Sequence, residues 1–193
     1  MSCLATEAML GCQQCSLAKH RTQVVPGHGS VAARIAFVCE APGAEEDAQG
    51  EPLVGRAGQR FNRQLEAAGL RREDVWLDNA VHCRPPANDL KRAPDALVTC
   101  PPLWLLPTLA KLANLRVVIA MGATAGSLWF PGYGATIIAN LGRMTPDGYA
   151  VIGSFHPSYA MRSGGDWNDV DASIVRSIGR ALTYVAITEA SSG

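Results

Sequence analysis

The 193-residue sequence carries no net charge: 17 Lys and Arg balance 17 Asp and Glu, and only 18% of residues are charged. Without a global basic field, any nucleic-acid footprint on this chain has to be local. Its cations gather at Lys19, His20 and Arg21, at Arg56, Arg60 and Arg63, at Arg84, Lys91 and Arg92, and at Arg143 and Arg162. Long apolar runs are missing too. None approaches the roughly 20 residues that span a bilayer, so no membrane helix is expected. The N-terminus lacks the basic-then-apolar pattern of a secretory leader, and a cytosolic chain is expected. In that compartment the six cysteines read as ligands or free thiols rather than disulfides. Repeats, low-complexity linkers and a domain boundary are also absent, so residues 1–193 are expected to form a single domain. Only the tail Glu189–Gly193 reads as frayed.

Apolar residues make up 48% of the chain, enough for a substantial core. Four short runs have strand length: residues 34–39, 75–81, 116–121 and 150–155. They do not alternate with polar residues, which fits strands buried on both faces. Between and after them lie helical stretches at 58–69, 103–113, 123–130 and 166–188. The first places Phe61, Leu65 and Ala68 on one stripe and ends at Gly69. Strands alternating with helices predict an α/β fold, a four-stranded parallel sheet flanked by helices on both faces. Ligands of such sheets bind beyond the carboxyl ends of the strands. Three segments rich in special residues emerge there: Glu40-Ala-Pro-Gly-Ala-Glu-Glu-Asp47, Asn79 through Asn88, and His156-Pro-Ser-Tyr-Ala-Met-Arg162. The site is expected where they converge.

Four cysteines form two separated pairs, Cys12-Gln-Gln-Cys15 and then Cys83 and Cys100. Four soft thiolates suit tetrahedral zinc or an iron–sulfur cluster, and spacing alone does not choose between them. Either centre would staple the N-terminus to the body of the domain. Cys3 and Cys39 fall outside this pattern, and Cys39 is expected to pack at a strand end.

Taken together, these motifs resemble the family-4, iron–sulfur branch of the uracil-DNA glycosylase superfamily. The residues that carry the resemblance are Glu40-Ala-Pro-Gly43, Glu46-Asp47, Gly50-x-Pro52-x-Val54-Gly55-x-Ala57-Gly58, Asn79, Cys83-Arg-Pro-Pro86, Asn88, Cys100 and His156-Pro-Ser158. It extends from Cys12 to about Leu182. It implies a [4Fe–4S] cluster on Cys12, Cys15, Cys83 and Cys100, with zinc as the alternative, and a structural role for it. The implied reaction is hydrolysis of the N-glycosidic bond of uracil in DNA, in a monomeric, prokaryotic-type enzyme working at the nucleoid. Asn79 would read the uracil edge, since an amide offers a donor and an acceptor side by side. His156 would donate to the uracil O2 as negative charge develops there. No motif position holds a lysine able to form a Schiff base, so no lyase step is expected.

The remaining roles follow the same resemblance. Superfamily members with strong duplex activity carry an acidic residue where this chain has Ala41, which leaves Glu40 or Glu46 to orient the water. Asn88 is expected to contact phosphate or to shape its loop. Within the loop from Pro157, Ser158 faces DNA, Tyr159 or Met161 wedges into the duplex, and Arg162 holds phosphate. Leu53 is a departure, because the family usually has Phe there to stack on the flipped base. Leucine lacks that stacking surface, worth on the order of 1–3 kcal/mol. The substitution raises two alternatives, a glycosylase preferring hypoxanthine or xanthine and a weakly active cluster-containing DNA-binding protein.

Overall fold

The structure, a computed structural model, describes residues 4–134, 142–159 and 166–191. Four strands, β2 (Ile35–Cys39), β3 (Trp76–Asn79), β4 (Val117–Met121) and β6 (Ala150–Ser154), are buried along their whole length. They pair in parallel, with Phe37 opposite both Leu77 and Ile119, and Ile119 opposite Ile152. The expected parallel centre is therefore present, and the sheet is wider than expected. Two short antiparallel edges, β1 (His28–Gly29) and β5 (Gly142–Met144), complete the order β1-β3-β2-β4-β6-β5 among the described residues. These edges are two and three residues long and contain no apolar run, so neither period nor composition announces them.

Among the described residues the α-helices are α1 (Glu7–Leu10), α2 (Ala44–Gln49), α3 (Arg56–Ala67), α4 (Pro94–Cys100), α5 (Leu106–Ala110), α6 (Ala123–Ser127) and α7 (Trp167–Ala190). The helix expected at 103–113 begins earlier, because α4 and α5 are joined by a π-helical stretch over Pro101–Leu105. Prolines 101 and 102 remove two N–H donors, and the backbone answers by widening its turn rather than by ending the helix. Helix α7 starts where Asp166 accepts the Asn168 N–H at 2.8 Å.

Side chains alternate across the sheet into two cores. On one face Phe37, Leu77 and Ile119 pack with Phe61 and Leu65 of α3 and Ile174 and Ile178 of α7. On the other, Val38, Trp76, Val118 and Val151 pack with Leu105, Leu109 and Trp129. Helices α3 and α7 are also tied by charge. Asp171 accepts from Arg60 and Gln64, and the Arg60 guanidinium lies 4.0 Å from the Trp167 ring centroid. A third cluster joins Met9, Leu17 and Val24 of the N-terminal segment to Val81, Ala96, Cys83 and Cys100. The N-terminus is thus packed onto α4 and the loop after β3, and Ser16 hydrogen-bonds Asp95 through both N–H (2.7 Å) and Oγ (2.5 Å).

Candidate active site and cysteine centre

Beyond the carboxyl ends of the parallel strands lies a cavity of about 700 Å³, lined among others by Glu40, Leu53, Asn79, Thr124, His156 and Tyr159. The three segments singled out in the sequence converge here, with Ala41, Asn88 and Ser158 also on the wall. A fourth end, that of β4, adds Gly122, Ala123 and Thr124. The carboxyl-end rule applies to β4 as much as to its neighbours, and that was the available signal for Thr124. The Thr124 hydroxyl donates to Glu40 Oε2 at 2.5 Å.

Asn79 ends β3 with 3% exposure, and its Nδ2 has no hydrogen-bond partner among the described residues. An orphaned buried amide costs about 1–3 kcal/mol unless a ligand satisfies it. His156 follows β6. Its Nδ1 accepts the Ser158 N–H at 3.1 Å and lies 2.8 Å from Ser158 Oγ. Because an accepting Nδ1 bears no proton, the neutral ring carries its hydrogen on Nε2. Ser158, expected on the DNA side, thus also orients His156. Gly122 adopts φ +88°, and a Cβ there would come within 3.3 Å of His156 Cβ, so only glycine lets the histidine settle against the end of β4.

Glu46 does not stand free to orient water. Its Oε2 accepts the Gly43 N–H at 3.0 Å, while Oε1 accepts those of Val54 (3.0 Å) and Gly55 (2.9 Å). The carboxylate braces the Glu40–Gly43 loop against the Leu53–Gly55 loop while also lining the cavity. Leu53 is buried on the cavity wall and has φ +55°, a left-handed backbone that costs a non-glycine residue about 1–3 kcal/mol. Gly58 permits this path, since a Cβ there would lie 1.8 Å from the Leu53 carbonyl oxygen. Tyr159, expected as a wedge, lines the cavity and packs its ring on Phe155 at 4.7 Å between centroids. Met161 and Arg162 lie outside the described residues.

Several expected nucleic-acid cations have internal partners. Arg60 is committed to Asp171, and Arg143 donates to the Trp129 carbonyl (2.8 Å). Arg84 donates to Asn88 Oδ1 at 2.8 Å, which holds Asn88 at φ +56° on the cavity rim.

Cys12, Cys15, Cys83 and Cys100 all line a second, small and apolar pocket beneath the N-terminal segment. N–H groups aim at three of the sulfurs. Trp104 Nε1 is 3.3 Å from Cys12 Sγ, Arg21 Nη1 is 3.6 Å from Cys83 Sγ, and His82 Nδ1 is 3.3 Å from Cys100 Sγ. Such donors complement thiolates, the form in which cysteine binds metal. Burial pushes the Cys83 thiol up to about 12, against the opposing pull of Arg21. Burial also works against a charged His82, but the Asp78 carboxylate, assisted by Cys100, outweighs it and raises the imidazole to about 10. Among the described residues no group of three or more His, Cys, Asp or Glu converges on a single ion-sized point; the sulfurs ring a pocket instead. Cys39 is elsewhere, buried at the end of β2 as expected, with its sulfur 3.9 Å from that of Met121.

The chain is similar to known proteins over most of its length. The family model described as the uracil DNA glycosylase superfamily matches residues 26–173. Over 184 residues the chain is 36% identical to a type-4 uracil-DNA glycosylase of Thermotoga maritima, covering 94% of this chain and 93% of that protein. It is 38% identical over 128 residues to the type-4 enzyme of Saccharolobus solfataricus, covering 66% and 58% of the two chains. A shorter match, 50% identical over 80 residues and covering 42% and 40%, is to the Archaeoglobus fulgidus type-4 enzyme.

Proposed function

This chain belongs to the uracil DNA glycosylase superfamily, in its type-4 group, and from that premise we propose how its cavity excises uracil from DNA. The observation that carries the reading is the buried Asn79 amide, unpartnered on a cavity wall shared with His156. A flipped uracil offers O4 to the Asn79 Nδ2 and its N3–H to the Oδ1. Cytosine presents the opposite pattern at those positions, so the amide rejects it. The His156 tautomer set by Ser158 puts an N–H on Nε2, the donor that the departing uracil O2 needs as the C1′–N1 bond loosens. Glu40, held by Thr124, is the carboxylate left to orient water once Glu46 is committed to backbone. Water then adds to the oxocarbenium-like sugar and leaves an abasic site. Leu53 packs against the base without an aromatic face. Asn88 and Ser158, both on the cavity wall, would contact the DNA backbone.

The four cysteines line one pocket and fit a thiolate-bound centre, and membership of the type-4 group favours a [4Fe–4S] cluster there over zinc. When bound, that group supplies a covalent staple between the N-terminal segment and the loop that follows Asn79. The enzyme would act as a monomer on uracil-bearing DNA at the nucleoid. Among the described residues no helix is long and apolar enough to cross a membrane.

The test is release of free uracil from duplexes carrying uracil opposite guanine or adenine and from single strands, with hypoxanthine and xanthine duplexes beside them. Uracil release with no purine release is expected. Activity confined to the purines would overturn the base assignment. Leu53→Phe should lower KM for uracil DNA by about 5- to 150-fold, since stacking contributes roughly 1–3 kcal/mol.

A further inference from the structure

The left-handed Leu53 is flanked by backbone contacts from one group outside the cavity, Arg72, and one on its wall, Glu46. The Leu53 carbonyl oxygen accepts from Arg72 Nη1 at 3.0 Å, and the preceding Pro52 carbonyl accepts from Nη2 of the same guanidinium. Arg72 sits in the short helical turn Arg72–Asp74, after α3, and does not line the cavity. Its Nη1 also reaches Asn62 Oδ1 on α3 at 3.3 Å, which anchors the guanidinium from behind. The same peptide unit is gripped at its opposite edge, where Glu46 Oε1 accepts the Val54 N–H at 3.0 Å. The C=O and N–H of a trans peptide point in opposite directions. An arginine on one edge and a glutamate on the other therefore fix the plane between residues 53 and 54. For Leu53 to relax to negative φ, the plane before it has to turn relative to the plane after it, and because Arg72 holds the carbonyl of each, that turn breaks an Arg72 contact.

We propose that Arg72 is a positioning residue for base recognition: by holding the Pro52 and Leu53 carbonyls it keeps Leu53 in its left-handed conformation, with the side chain on the cavity wall. The planar fork of arginine matters because it presents two N–H groups to successive carbonyls in a fixed geometry, which a freely rotating ammonium does not impose. This inference rests on the reading of the cavity as a uracil pocket.

The test compares Arg72→Met and Arg72→Lys, each in the wild-type and the Leu53→Gly backgrounds, by steady-state kinetics on uracil-containing duplex. Glycine adopts φ +55° unaided and has no side chain to place, so an effect that runs through Leu53 disappears in that background. In the wild-type background Arg72→Met should raise KM at least fivefold with kcat within about twofold. Arg72→Lys should fall between, because its ammonium keeps the charge and can donate to the carbonyls but does not fix their relative orientation. In the Leu53→Gly background the KM change should shrink below twofold. Unchanged KM in Arg72→Met overturns the inference, as does a KM rise that persists undiminished on Leu53→Gly. If Arg72→Met does not fold, the Arg72→Lys pair decides by the same criterion. A wild-type protein that releases no uracil overturns the functional reading and this inference together, whereas wild-type release with unchanged KM in the Arg72 variants overturns the inference alone.

Discussion

His82 and Asp78 form a buried pair, with Nε2 of the imidazole 2.8 Å from Oδ1 of the carboxylate, the two side chains only 1% and 0% exposed. The same Oδ1 accepts the Asn79 N–H at 2.8 Å, and Oδ2 accepts Trp76 Nε1 at 3.0 Å. Through its other nitrogen, His82 reaches the Cys100 sulfur. One carboxylate thus connects the strand end that carries Asn79 to the cysteine pocket. Asp78→Asn should remove the charge that compensates the imidazolium and cost about 3–5 kcal/mol of stability. Denaturant unfolding measures this directly; a loss below 1 kcal/mol would show that the pair does not hold β3.

Replacing Asn79 by Ala removes both edge contacts to uracil, and excision should fall roughly 5- to 150-fold, in line with about 1–3 kcal/mol for a site built around its hydrogen bonds. Asn79→Asp keeps the shape but offers only acceptors. It should be at least as impaired on uracil at neutral pH. Single-turnover release on both variants, with unfolding midpoints as the control, separates lost recognition from lost fold.

Glu46→Gln should behave as a stability mutation. Glutamine Oε1 can still accept from Val54 and Gly55, but its NH₂ then meets the Gly43 N–H donor to donor. The expected loss is about 1–3 kcal/mol, with the turnover of the remaining folded fraction little changed. A folded, fully stable Glu46→Gln protein with abolished turnover would return Glu46 to the chemistry.

Cys39 should be inert in the folded protein. Burial raises its thiol well above the ordinary range, and the nearby Glu46 and Glu40 carboxylates add to the rise. Since the thiolate is the reactive form, iodoacetamide at pH 8 should leave Cys39 unmodified until denaturant is added. Peptide mass mapping after a timed pulse provides the measurement, and rapid native-state labelling would contradict the burial.

The parallel centre of the sheet was legible because strands buried on both faces appear as unbroken apolar runs, as in Val117–Met121 and Ala150–Ser154. The segments at 40–47, 79–88 and 156–162 were legible from their position after such runs. The α4–α5 helix was misread at Pro101-Pro102, where prolines usually signal an end and here mark a widened turn. The cation clusters misled for a related reason: sequence counts the charge of Arg60 but does not show Asp171, 111 positions away, paired with it.

Residue types and their spacing along the chain determined the fold class and set the cysteine quartet, Asn79 and His156 where a site could gather, because each depends on what a residue is and which run it follows. The roles of those residues came as what the family resemblance implies. Only the tertiary structure decided that Glu46 is a brace, that Ser158 sets the His156 tautomer, and that Arg72 and Glu46 grip the peptide after Leu53. Those facts depend on which atoms meet across loops distant in sequence, and hydrogen-bond partners leave no periodic trace in the chain.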